Sequence, residues 1–232
     1  MLPAYSTEEG IHVMTHRTTA RVVGALFIVG TVAGVVGLAL EQPLVDDLSQ
    51  IAMNEARLTT GALLELVMST ALIAIAVTIY PVLRRFSESL AVGYVAARTV
   101  EGVIIVLGTI NLLTVLTVSS SPGPAQQALG DTLLAARDWG GHAVLDVTAF
   151  PLSAAILNYA LHRARLVSPV LTIWGLAGAA AYWAAGVSVL YGADPLTPVQ
   201  IALNVPLAVQ EMALALYLIV RGFRPTGRGV IS

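Results

Sequence analysis

The chain is expected to be all-α, a polytopic integral membrane protein of six transmembrane helices with both termini on the cytoplasmic side. Three observations predict this class. Hydrophobic residues make up 56% of the chain and charged residues 11%, where soluble domains carry about 25% charged; mean hydropathy is +0.81. The apolar residues fall in six runs, each long enough for the ~20 residues that cross a bilayer. The arginines gather at alternate ends of those runs.

Residues 1–18, with Glu8, Glu9, His12 and His16, read as a mobile polar tail. The first span is 19–40, too long for the apolar region of a secretory signal. Within it Gly30 and Gly34 form a small-xxx-small pair that lets another helix approach closely. Residues 41–57 form a polar loop with Asp46, Asp47 and Glu55, and the second span, 58–83, carries Glu65. After a polar turn at 84–89 comes the third span, 91–118, which holds Arg98 and Glu101 one helical turn apart on one face. Residues 119–124 break the helix. In 125–139, Leu129, Leu133 and Leu134 fall on one side and Asp131, Arg137 and Asp138 elsewhere, the pattern of a short interfacial helix before the fourth span. That span is 141–161, with Trp139 in the aromatic belt. The fifth is 169–191 and the sixth 199–220, carrying Glu211. The bundle therefore occupies 19–223, and 224–232 is a short tail.

Orientation follows from the arginines. Arg17, Arg21, Arg84, Arg85, Arg163, Arg165, Arg221, Arg224 and Arg228 fall at one set of ends, and the opposite loops hold only Arg57 and Arg137. By the positive-inside rule the first set is cytoplasmic; the expected location is a cell inner (cytoplasmic) membrane.

An ionisable residue at the bilayer centre costs at least ~2.5–3.5 kcal/mol on insertion scales, so each needs a partner or a wet cavity. Helix geometry places Glu65 roughly 10 Å below the outer end of its span, with Arg98, Glu101 and Glu211 near the midplane. These four are expected to converge, at least one carboxylate reaching Arg98. Three glutamates against one arginine leave an excess of acid, so at least one is expected to be protonated. Such a centre suits acid/base chemistry or proton binding, with Glu65, Glu101 and Glu211 as candidate acid/base groups and Arg98, Asn111 and Asn204 as candidate ligand-binding groups. It equally suits a staple that only fixes helix packing.

A second set, Asp138, His142 and Asp146, is spaced i, i+4, i+8 and would share one helix face. Carboxylate and imidazole so placed can hold a divalent cation, while a polar helix end facing water explains them as well. Pro151 and Pro206 interrupt the fourth and sixth spans and are expected to open kinks.

Absences narrow the chemistry. Without cysteine there is no thiolate nucleophile or Cys metal cage, and without lysine no Schiff base. No cofactor is expected. A net charge of −2 argues against a nucleic-acid partner. No serine sits in a Gly-x-Ser-x-Gly turn, and Asp46-Asp47 is a lone acidic pair.

The runs NEARLTTGALLELVMSTALIAIAVTIYPVLRR, SLAVGYVAARTVEG, LLAARDW and VQEMALALYLIVRGF resemble the bacterial multi-pass family of the domain of unknown function 4386 type. The resemblance covers about residues 21–223 and takes in Glu65, Arg98, Glu101, Arg137, Asp138 and Glu211. It implies a six-helix bundle and no particular activity. His142 and Asp146 lie outside those runs, which weakens the cation site. Three functions stay open. A lipophilic small molecule is bound, or processed by acid/base catalysis, at the Glu/Arg site; the chain is a proton- or cation-coupled carrier; or it is a structural membrane protein whose charges specify packing.

Overall fold

In lipid every backbone N–H and C=O must be satisfied within the protein, and a helix does this inside its own segment. The chain obeys: among the described residues there is helix and no strand. The structure, a computed structural model, describes residues 7–45, 48–120, 123–195 and 197–225, with side chains from residue 16 onward, Leu48 excepted. The Asp46-Asp47 pair, residues 1–6 of the N-terminal stretch and 226–232 of the C-terminal one lie outside the described residues.

The helices are α1 (Thr7–Glu41), the short α2 (Leu48–Met53), α3 (Glu55–Leu83), α4 (Glu88–Ser119), α5 (Pro124–Asp138), α6 (Ala149–Arg163), α7 (Pro169–Leu190) and α8 (Pro198–Val220), with a π-helical segment Trp139–Leu145 between α5 and α6. Six helical stretches are long and apolar enough to cross a membrane. Five match the expected spans to within a few residues, except that α1 starts at Thr7, inside the stretch read as a tail. Local chemistry sets the starts. Ser87 accepts a bond from the Leu90 amide (3.3 Å) at α4, and Thr197 accepts one from the Gln200 amide (3.4 Å) at α8. Proline holds the first position of α5, α7 and α8, where its missing N–H costs nothing.

The fourth stretch has the expected short helix at its start, α5, whose bounds agree with the sequence reading to within a residue. The stretch runs 40 residues, Pro124–Arg163, and its first part, α5, packs along α4. Leu133 and Leu134 of α5 lie in one apolar cluster with Leu112 and Val115. A methyl group placed on Gly108 would meet Arg137 Nη1 at 3.6 Å, so the arginine side chain passes over this glycine. The path from Arg137 to Ser153 then includes the π segment and a non-helical Thr148.

The main packing partners close a ring, α1–α3–α4–α6–α7–α8 and back to α1, with α5 against α4. One end of the ring collects the start of α1, the α3–α4 and α6–α7 turns and the end of α8. There Arg85 Nη1 meets His16 Nε2 at 2.9 Å, and the Arg224 amide donates to the Leu166 carbonyl at 2.8 Å. Exposed Arg17, Arg84, Arg85, Arg163, Arg165, Arg221 and Arg224 all belong to this end. A large apolar cluster built on Phe27, Ile79, Tyr94, Leu161 and Leu214 fills the ring there. A smaller one built on Leu44, Ile51, Leu58, Leu112 and Val115 fills the opposite end. The buried charges lie between these two clusters.

Candidate functional site

Helix α4 buries one stripe: Tyr94, Arg98, Glu101, Gly102, Thr109, Leu112 and Val115. Heptad-like spacing keeps these residues on the ring's inner face, so two polar positions three residues apart must find partners inside the protein.

Arg98 is fully buried and completely engaged in a polar network. Its Nη1 donates to both oxygens of Glu101, at 2.9 and 3.1 Å, its Nη2 to Glu211 Oε1 at 2.9 Å, and its Nε to the Tyr94 hydroxyl at 3.2 Å. Ser153 of α6, itself buried, donates to Glu101 Oε2 at 3.1 Å. Around the guanidinium stand three aromatic rings, Phe27, Tyr94 and Phe150, with centroids at 5.6, 5.7 and 5.8 Å. A weakly hydrated, planar cation suits such a site better than an ammonium does. Four ring helices, α1, α4, α6 and α8, therefore meet at one side chain. Just beside it, Ser69 of α3 donates to the Gly102 carbonyl at 3.0 Å. Glu211 keeps a small exposed edge, 12% of its side chain.

Glu65 does not join this centre, contrary to the sequence expectation. Arg137, entering from α5, takes it instead in a two-pronged grip, Nη1 to Oε2 at 3.0 Å and Nη2 to Oε1 at 2.5 Å. Thr109 adds a bond to Oε2 at 2.7 Å. The same Nη2 also holds Glu41 Oε2 at 2.6 Å. Thr109 lies just over two turns beyond Glu101, about 12 Å along α4. Two centres thus stand one above the other, each an arginine shared by two glutamates. The expected acid excess was real, and part of its compensation comes from a residue that the sequence pattern had assigned to an interfacial helix.

Sequence reasoning missed Glu41, and it named Arg137 only as a charged residue of the matching runs, not as a partner of Glu65. The signal was the charge count itself: three intramembrane acids and one base demand another cation. Glu41 had been placed in the polar loop after the first span. It is the last residue of α1 and is 1% exposed. Gly61 makes room for it, since a methyl group at that glycine would sit 2.6 Å from Glu41 Oε1.

The remaining candidates stand apart. Both centres are hydrogen-bonded without Asn111 or Asn204. Asn204 Oδ1 is buried without a partner elsewhere on α8. Asn158 makes the interhelical link expected of a buried amide, accepting from Gln210 at 3.0 Å, while Gln210 also donates to the Leu171 carbonyl at 3.1 Å. Asp138, His142 and Asp146 do not form a common face. The wider π turn breaks their four-residue register: Asp138 is exposed, and Asp146 is buried against Tyr182. Among the described residues no group of three or more His, Cys, Asp or Glu is placed to hold a metal ion.

A groove of about 800 Å³ lies on the side of the ring between α4, α6 and α7. Small residues shape it, among them Gly93, Ala97, Ala155 and Ala180, and Val100, Leu152 and Trp183 on its lining are exposed. Its wall includes Val147, Thr148, Ala149 and Pro151, the helix break itself. Pro151 has no N–H, so the Val147 carbonyl lacks its usual partner four residues on. The groove backs onto the Arg98 centre through Ala97 and through Ala149 and Pro151, the neighbours of Phe150.

These features describe an integral multi-pass membrane protein with buried ion pairs. No curated protein and no solved structure matches the chain. One family model does, over residues 22–222, which is nearly the whole helical ring: the chain belongs to the family described as Domain of unknown function (DUF4386).

Proposed function

We propose that this protein binds a small lipophilic molecule in the lateral groove between α4, α6 and α7. The single observation that carries the reading is the coincidence of a large apolar groove with an interrupted helix. Irregular backbone at membrane depth is tolerated where it is buried in protein or lines a cavity, and pockets of ~300–1,000 Å³ are the size that takes drug-sized molecules. The Val147 carbonyl is the natural polar contact. The ligand is accordingly an apolar body with one hydrogen-bond donor, such as a long-chain alcohol, entering sideways from the bilayer.

In this reading Arg98, Glu101 and Glu211 hold the groove's walls together and do not perform acid/base catalysis on the ligand. Glu101 is 2% exposed and its oxygens are taken by Arg98 and Ser153. The test is equilibrium binding of a fluorescent long-chain alcohol to the purified protein in nanodiscs. Ala155→Trp, which fills the groove, should abolish saturable binding and leave melting unchanged within a few degrees. Saturable binding that survives Ala155→Trp, or its absence from the wild type, removes the proposal.

The same reading sets the protein in the inner membrane with both termini cytoplasmic, supported by the gathering of arginines at one end of the ring. Reporter fusions at Arg85 and Arg165 should read as cytoplasmic and one at Gly123 as external; a cytoplasmic signal at Gly123 reverses the orientation.

A further inference from the structure

The Glu41–Glu65–Arg137 centre has one property that ion pairing alone does not explain. Glu41 is 1% exposed, yet its Oε1 is buried without any hydrogen-bond partner. Its other oxygen shares Arg137 Nη2 with Glu65 Oε1, at 2.6 and 2.5 Å. Two carboxylates on a single guanidinium nitrogen leave the centre one negative charge in excess, inside the protein.

Among the described residues the surroundings offer nothing else to balance that charge. From α5 comes Arg137 alone, with Asp138 beside it exposed. From α4 come the Thr109 hydroxyl, already given to Glu65, and Gly108. On α3, Glu55 and Arg57 are exposed, and Arg57 turns to the Ala39 carbonyl at 3.3 Å. The segment α2 carries no titratable residue.

We propose that Glu41 and Glu65 form a proton-binding site that holds one proton between them at neutral pH. The proton resides on Glu41, the more deeply buried of the two. Glu65, gripped at both oxygens by Arg137 and touched by Thr109, remains the carboxylate. A neutral Glu41 brings the centre to zero net charge, and its orphan oxygen no longer carries charge into the apolar notch at Gly61. The site is distinct from the groove and does not depend on a ligand there.

The experiment is infrared spectroscopy of the full chain in nanodiscs, reading the C=O band of a protonated carboxyl group in H2O and D2O at neutral pH. Wild type should show such a band. Glu41→Gln keeps the shape and mimics the neutral acid, so it should fold normally and remove that band's intensity by one carboxyl group. Glu65→Gln serves as the second variant. With its partner's charge gone, Glu41 should ionise onto Arg137 and the same intensity should again be lost. The wild-type measurement needs no variant to fold, and absence of any protonated carboxyl band there overturns the proposal. So does a band that is undiminished in both variants, which would assign the proton to the Arg98 centre.

Discussion

At the scale of single residues, the asymmetry of buried charge decides what each substitution reports. Removing one member of a buried pair strands the other, at roughly 3–5 kcal/mol. Arg98 has two carboxylates and a tyrosine hydroxyl to strand, so Arg98→Ala should destabilise the protein by at least that much. Arg98→Lys should recover little. An ammonium cannot donate along three directions in one plane, and it loses the stacking on Phe27, Tyr94 and Phe150. Glu211→Gln keeps its hydrogen-bonding capacity at a side chain that is 12% exposed, and should cost about 1 kcal/mol or less. Melting curves in detergent read all three; near-equal stability of Arg98→Lys and wild type would mean that the aromatic box is incidental. The Arg98–Glu101 contact was legible in the sequence because a separation of three on a helix needs no tertiary knowledge. The partner of Glu65 was not legible. It lies 72 residues away in sequence, on a helix whose polarity matched an interfacial segment.

At the scale of elements, the same contrast holds. Helices α3, α4, α7 and α8 were readable because they are uniform apolar runs, and serine before α4 and proline opening α7 and α8 leave little choice of boundary. In the α5–α6 stretch the bounds of the polar helix were readable, but its packing along α4 was not, because its polarity alone does not say which neighbour it lies against. Pro151 was read as a possible kink, and the interruption does lie just before it, at Thr148. Pro151→Ala returns an N–H to the Val147 carbonyl and removes the acceptor proposed to hold the ligand's head. It should leave thermal stability unchanged or raised, while weakening binding of a long-chain alcohol about tenfold, ~1.4 kcal/mol for one lost hydrogen bond. The corresponding methyl ether, which has no donor, should bind wild type and variant alike. An equal loss for alcohol and ether would show that the proline shapes the groove and does not supply a polar contact.

At the scale of the whole molecule, composition and arginine asymmetry were enough to read a six-span bundle, and charge counting was enough to read a buried polar centre. What they could not give was the division of that centre into two, because depth along a span fixes height but not which ring neighbours face one another. The division has a thermodynamic signature. Sites more than ~7–10 Å apart with no shared partner contribute additively to within about 0.3–0.5 kcal/mol, while members of one network do not. Thr109 and Glu101 are separated by about 12 Å along α4, and among the described residues no ion pair joins the Arg98 network to that of Arg137. The double variant Glu65→Gln/Glu101→Gln should therefore lose the sum of the two single losses. Glu101→Gln/Glu211→Gln, two changes on one guanidinium, should depart from additivity by about 0.5–3 kcal/mol. Reversible denaturation in mixed detergent measures both cycles. Strong coupling between Glu65 and Glu101 would restore a single charged site spanning the ring, and additivity between Glu101 and Glu211 would deny that Arg98 couples them.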